Sequence, residues 1–187
     1  MFEKAIIDAD LCIKLGSSEK FRFLCSLLPL LSKTIYIHSQ TLSEIKYPPS
    51  SVSQIKELIR KGQVIEVHQS GLNAQDRAVY DAAYESLKNV MWSSKAPNKN
   101  LGEMCSLAYA KATGIPVFAT DEKDLQPIID SQLNTGINNI ACIRIVDIIS
   151  LAHEGKMEIS RKNCKLLWVI SGKSKIMFDT EIWPFNK

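Results

Sequence analysis

Four carboxylates stand where a protein of alternating strands and helices would gather them. Asp8 ends the apolar run Ala5-Ile6-Ile7, and Asp121 ends Ile115-Pro116-Val117-Phe118-Ala119-Thr120. Glu44 and Glu103 each fall at the expected start of a helical pattern. In a parallel sheet the strand C-termini and the N-termini of the following helices share one edge, so acids from distant positions converge there. Several carboxylates in one cleft repel each other unless they share protons or a cation. Mg²⁺ or Mn²⁺ is the expected cation, since both prefer oxygen ligands. A water held by such an ion is more acidic and can attack a phosphodiester while the metal stabilises the developing charge. Each acid also has a plainer role. Asp8 and Asp121 can cap the helices that follow them. Glu44 in Thr41-Leu42-Ser43-Glu44 and Glu103 in Asn100-Leu101-Gly102-Glu103 match capping boxes. Asp124 can be a surface acid. The joint pattern, with separations of about 35, 60 and 20 residues, points to one shared site.

The elements that must position these acids follow from apolar periodicity. Strands are expected over 4–8, 34–38, 64–67, 115–120 and 140–145, where β-branched and apolar residues cluster. Helical spacing marks 10–15, 19–31, a segment from Gln40 to the residues before Pro48-Pro49, 51–61, 73–90, 101–113, about 121–130, and 146–153. Pro29 is expected to kink or shorten its helix. Gly62 and Gly114 end theirs. Alternation of strands and helices predicts a three-layer α/β/α domain over 1–152, with a mostly parallel sheet of about five strands. The stretch after Gly155 breaks the rhythm. Lys165–Ile170 and Lys175–Asp179 flank Ser-Gly-Lys-Ser, which reads as a hairpin, with a helix over 160–170 as the alternative.

Composition is that of an ordinary globular chain: 187 residues, 45% hydrophobic and 23% charged. No apolar run approaches the ~18–20 residues of a membrane span. The N-terminus reaches acidic residues too early for a signal peptide, so a cytoplasmic protein is expected. The five cysteines are scattered without a Cys-x-x-Cys pair, which disfavours a zinc knuckle or redox centre. The net charge of +3 resides in residues 153–187, where seven Lys/Arg oppose four acids, while residues 1–152 sum to zero. A basic C-terminal extension on a neutral body suits contact with a polyanion, though a solvated surface would look the same.

The stretch Gly102-Glu103-Met-Cys-Ser-Leu-Ala-Tyr-Ala-Lys-Ala-Thr-Gly-Ile-Pro-Val-Phe-Ala-Thr-Asp121-Glu-Lys-Asp124-Leu resembles the PIN-domain pattern: an acid opening a small-residue helix, a glycine, a strand, then Thr or Ser with acids just after. Ile-Ile-Asp8-Ala-Asp10 and Ser-Glu44-Ile resemble two earlier PIN motifs. The resemblance covers about residues 4–150. It implies a metal-dependent nuclease acting on RNA, often the toxin of a toxin–antitoxin pair. On that reading Asp8, Glu44, Glu103 and Asp121 form the catalytic acids, with Asp8, Glu103 and Asp121 on Mg²⁺ or Mn²⁺. Asp10, Glu122 and Asp124 are auxiliary. Many members place one residue between the threonine and the last acid, which makes Glu122 an alternative fourth ligand. The third acid is Glu103 where Asp is commoner. Lys95, Lys99, Arg161, Lys162 and Lys165 would track the phosphate backbone, and an antitoxin-like protein would cover the acids. The extension could be a nucleic-acid arm, a homodimer element or a docking site.

Two rivals stand beside this. Asp8-Ala9-Asp10 after a strand also resembles the first motif of haloacid-dehalogenase-like phosphatases, with Asp8 as nucleophile and Asp10 as acid/base. Against it, Leu11-Cys12 departs from that motif, and Glu44 and Glu103 lack a role. The other rival is a PIN-like fold kept only as a binding module. A nucleotide-binding reading is poor: no Gly-x-Gly-x-x-Gly exists, and Ser171-Gly172-Lys173-Ser174 lacks the upstream glycine of a Walker motif.

Overall fold

Residue parity along the first strand sets the layers. In β1 (Phe2–Ile7), Ile6 joins one apolar cluster and Ile7 the other, and both are fully buried. A strand covered on both faces must be central, and β1 is. The computed structural model describes residues 1–184. Lys187, one of the basic residues counted in the C-terminal segment, lies outside the described residues.

Among the described residues the sheet has five strands in the order β3-β2-β1-β4-β5, all parallel: β1, β2 (Ser32–His38), β3 (Val64–Val67), β4 (Val117–Ala119) and β5 (Ala141–Ile143). The chain winds outward through β2 and β3, then returns to the other side of β1 with β4. The winding reverses between β1 and β4, which is where an open α/β sheet parts its connections into a crevice. Ile7 pairs with Ala119, so Asp8 and Thr120 leave the sheet side by side.

One apolar layer packs α1 (Ala9–Gly16), α2 (Phe23–Leu31), α4 (Pro49–Arg60) and α8 (Ile145–His153) around Leu11, Leu24, Leu28, Ile55 and Ile149. The other packs α5 (Ala74–Met91), α6 (Leu101–Thr113) and α7 (Leu125–Gln132) around Leu87, Leu107, Phe118 and Ile129. The expected three-layer α/β/α arrangement is present. No helix among the described residues is long and apolar enough to cross a membrane.

Several local expectations differ. The helix expected from Gln40 begins one residue earlier, as α3 (Ser39–Glu44), because the His38 ring accepts the Gln40 N–H at its N-terminus. It also stops short of Pro48, because Ile45 leaves the helical conformation (φ −79°, ψ 81°), so Glu44 is its last residue and closes no capping box. The helix expected from 121 begins only at Leu125, since residues 121–124 stay extended or turned. Pro29 sits inside α2 two residues before its end and leaves a nine-residue helix. After 160 the helix alternative holds and the hairpin is absent. Residues 161–170 form α9 (Arg161–Ile170), capped by Ser160 Oγ on the Asn163 N–H. Cys164, Leu167 and Trp168 make its buried stripe, a 3.6-residue period that overrides the β-branched pair Val169-Ile170. A short helix, α10 (Lys175–Met177), and a wide turn over Phe178–Ile182 follow. Phe178 is fully buried in the same cluster as α1 and α8, so the segment after 153 is built into the main core.

Candidate active site

Asp8 follows the central strand, and its Oδ1 accepts the Ala9 N–H at 2.6 Å while Oδ2 accepts the Thr120 hydroxyl at 3.2 Å. The helix-cap role is thus real. It does not neutralise the group. Asp8 is 1% exposed, and burial pushes its carboxyl up to about 7, helped by the charges of Glu103 and then Asp10. Glu103, in the first turn of α6, is also raised, first by burial and then by Glu44, Glu122 and Asp10. Five acids therefore bear on one another: Asp8, Asp10, Glu44, Glu103 and Glu122. Such repulsion is released by protons or by a cation.

Glu44 reaches this edge by an unanticipated route. Its Oε1 accepts the Gly102 N–H at 2.9 Å and the Gln40 side-chain amide at 3.2 Å. It caps α6 from another helix. The local cap is missing because Asn100 has a left-handed backbone (φ 61°) and spends its amide on the Met91 carbonyl. A Cβ at Gly102 would stand 2.5 Å from Glu44 Oε2, so any side chain there must displace this carboxylate. Thr41, fully buried, ties the same two helices through Ser106 Oγ at 2.8 Å and the Gly102 carbonyl at 3.1 Å.

The extended segment after Thr120 separates the remaining acids. Glu122 and Asp124 line a cleft of about 250 Å³ with Glu103, Asn100 and Lys99. Asp121 and Lys123 line a different cleft of about 330 Å³ with Arg144, Trp168 and Lys173. Alternate residues of an extended chain face opposite ways, so one loop serves two clefts. The Glu122 N–H donates to Thr120 Oγ1 at 3.2 Å, which fixes the parity.

Asp121 has opposite company to Asp8. Its Oδ2 accepts Lys14 Nζ at 3.0 Å, and its Oδ1 accepts Lys173 Nζ and the Ile145 N–H, each at 3.3 Å. Lys14 also bridges to Asp10 at 2.7 Å. Burial works against the Lys14 ammonium, but its bonds to Asp10 and Asp121 outweigh that and raise it. Neither lysine is an expected partner of Asp121 from the sequence. Lys14 stands four residues after Asp10 on α1, a helical pairing that was readable. Lys173 comes from 52 residues beyond Asp121 and had no local signal.

The residues expected on a nucleic-acid backbone divide similarly. Lys95 and Lys99 are exposed, and Lys99 borders the acidic cleft. Lys162 is exposed as well. Arg161 and Lys165 both bond Asp179, and Arg161 also bonds the Trp183 carbonyl, so these two brace the C-terminal segment.

Among the described residues no three or more His, Cys, Asp or Glu stand together as a ready cage for a metal. The donor set nonetheless fits a hard cation. Mg²⁺ commonly takes one or two carboxylates and keeps its waters, and Asp8 with Glu103 supplies two oxygen-donor groups with unmet repulsion. The five cysteines are all free. The chain matches no protein-family model, no curated protein and no solved structure.

Proposed function

We propose that this protein is a Mg²⁺- or Mn²⁺-dependent nuclease of the PIN type that hydrolyses phosphodiester bonds, in RNA rather than DNA. The observation behind it is the placement of Asp8, 1% exposed and with no cation bonded to it among the described residues, at the β1/β4 switch point, where burial and then the Glu103 charge raise its carboxyl and where Glu44, Glu122 and Asp10 bear on Glu103. Asp8 and Glu103 would hold the ion, with Glu122 beside them. The ion, when bound, supplies charge neutralisation and an acidified water. Thr120 orients Asp8 through its hydroxyl. Glu44 positions Glu103 by capping the first turn of α6. Lys99 at the cleft margin is suited to a substrate phosphate. Asp121, saturated by two ammonium groups, serves as a strut between α1, α8 and the C-terminal turn.

Cleavage of tRNA, single-stranded RNA and single-stranded DNA in Mn²⁺, Mg²⁺ or EDTA tests this, with wild type beside Asp8→Asn. Metal-dependent cutting of RNA that Asp8→Asn abolishes is the expected result. A folded wild type that cuts nothing would favour the binding module, in which Glu44 and Asp121 serve the fold alone. Phosphatase activity abolished by Asp10→Asn would instead favour the dehalogenase-like reading. The Lys14–Asp10 ion pair weighs against that, because it occupies the side chain needed as acid/base.

A further inference from the structure

The cleft on the far side of the 121–124 segment has no part in the chemistry above, and its lining is of another kind. Lys123, Arg144 and Lys173 stand around it against one carboxylate, Asp121, with Trp168, Met177 and Ile182 as apolar wall. Asp121 is already matched by Lys14 and Lys173. Lys123 is exposed and has no ion-pair partner among the described residues. Arg144 gives its Nε to Asp147 at 3.4 Å, a long contact that leaves its terminal nitrogens available. Lys173 is held in place, with its ammonium 4.9 Å from the centre of the Trp168 ring and its N–H on the Trp168 carbonyl at 3.2 Å. The cleft has a net positive rim, an apolar wall and about 330 Å³ of space, at the lower end of the size of small-ligand sites.

That combination matches a group with an anion at one end and a flat apolar body at the other. Lysine meets phosphate as a point charge and arginine as a two-pronged donor, while a base can lie against an apolar or aromatic wall. Residues of the one segment 121–124 line both clefts, Glu122 and Asp124 the acidic one and Asp121 and Lys123 the cationic one. We infer that the cationic cleft seats one nucleotide of the single strand whose neighbouring phosphodiester lies at the acidic cleft. Lys123 and Arg144 take its phosphate, and the Met177–Ile182 wall takes its base. This rests on the nuclease reading for its choice of ligand, but its test does not need cleavage.

The test uses the full chain carrying Asp8→Asn, in EDTA, with a fluorescein-labelled eight-nucleotide RNA followed by anisotropy. Adding Lys123→Ala and Arg144→Ala should weaken binding about tenfold or more, since each removes a charge-assisted contact. The slope of log affinity against log salt should fall by about 0.7, because a single strand gives about 0.7 per phosphate neutralised and both residues take the same one. Lys4→Ala with Lys56→Ala, an equal loss of charge elsewhere on the surface, should change affinity less than threefold. Adenosine monophosphate should displace the RNA at lower concentration than inorganic phosphate. Equal weakening by the two double variants would overturn the site. Equal displacement by the two competitors would overturn the base seat. Displacement by an acidic peptide but not by the nucleotide would overturn the choice of ligand. Absence of metal-dependent cleavage with the binding pattern intact would sink the nuclease reading and leave the cleft standing.

Discussion

Asp8 and Asp121 end neighbouring parallel strands, are similarly buried, and are built in opposite ways. Asp8 has a backbone N–H, a hydroxyl and the repulsion of other acids. Asp121 has a backbone N–H and two ammonium groups. Burying a carboxylate beside cations ties elements together, while burying one beside carboxylates stores charge that a ligand can release. The difference teaches that membership of an acidic motif does not decide a residue's role; the company on each side of one short loop does.

The largest effect expected to separate them is on catalysis. Asp8→Asn or Glu103→Gln should lower metal-dependent cleavage by about a thousandfold or more, and gel-based rate measurements would show it. If either variant cut as well as wild type, the acidic cleft would not be the reaction centre.

The next effect is on stability. Asp121→Asn should destabilise the fold by about 1–2 kcal/mol, because it strips Lys173 of its carboxylate and leaves the partly buried Lys14 with Asp10 alone. Urea unfolding would measure it. A neutral result would mean that the two lysines are free to serve elsewhere.

Asp8→Asn should do the reverse. The native Asp8 carboxyl sits at about 7, above its ordinary 3.8. Between those values the native state binds more protons than the unfolded one, so without metal this group loses stability as pH rises from about 4 to 7. Asp8→Asn should therefore stabilise the metal-free protein by about 2–4 kcal/mol at pH 8 and hardly at all at pH 4. Denaturant melts at the two pH values would decide the sign. Mn²⁺ should raise the melting temperature of wild type and leave Asp8→Asn unmoved.

His38 gives a smaller effect of the other sign. Burial, followed by the His68 charge, lowers its ring to about 4. The unfolded state takes up a proton near 6.5 that the native state refuses, so this group loses stability as pH falls from 6.5 toward 4. His38→Asn should remove about 1–3 kcal/mol of that loss relative to wild type. Parallel pH-stability curves would expose a contrary result. The smallest expected effect is that of Gly102→Ala, about 1–2 kcal/mol, because a methyl group there pushes Glu44 off the α6 cap. Cleavage should fall with it if Glu44 positions Glu103.

Much of the scaffold was readable because its signals are local. The runs Ala5–Ile7, Ile35–Ile37 and Val117–Ala119 are strands covered on both faces, and Asp8 follows the first of them. What escaped was decided at a distance. Glu44 closes α3 rather than opening a helix because the His38 ring starts that helix at Ser39 and Ile45 leaves helical geometry. The direction in which Asp121 and Glu122 face depends on where β4 ends and on the Thr120 hydroxyl. The partners of Asp121 include a lysine from the far end of the chain, placed by a helix whose β-branched C-terminus reads locally as strand. Arg161 and Lys165 looked like phosphate contacts because Asp179, which takes both, is remote in sequence.

The burial of Phe178 and the reach of Lys173 have a consequence for the order of assembly. A chain made from its N-terminus completes all five strands of the described sheet, and Asp8, Asp10, Glu44, Glu103 and Glu122, before α9 and its following turn emerge. The nascent protein holds its carboxylates early, with Asp121 facing Lys14 alone and one apolar layer still open where Trp168 and Phe178 will dock. Closure of that layer and completion of the cationic cleft both wait for residues 161–182, since Trp168 belongs to each. A chain stopped before residue 161 would keep the acids, expose that apolar layer and lack the wall.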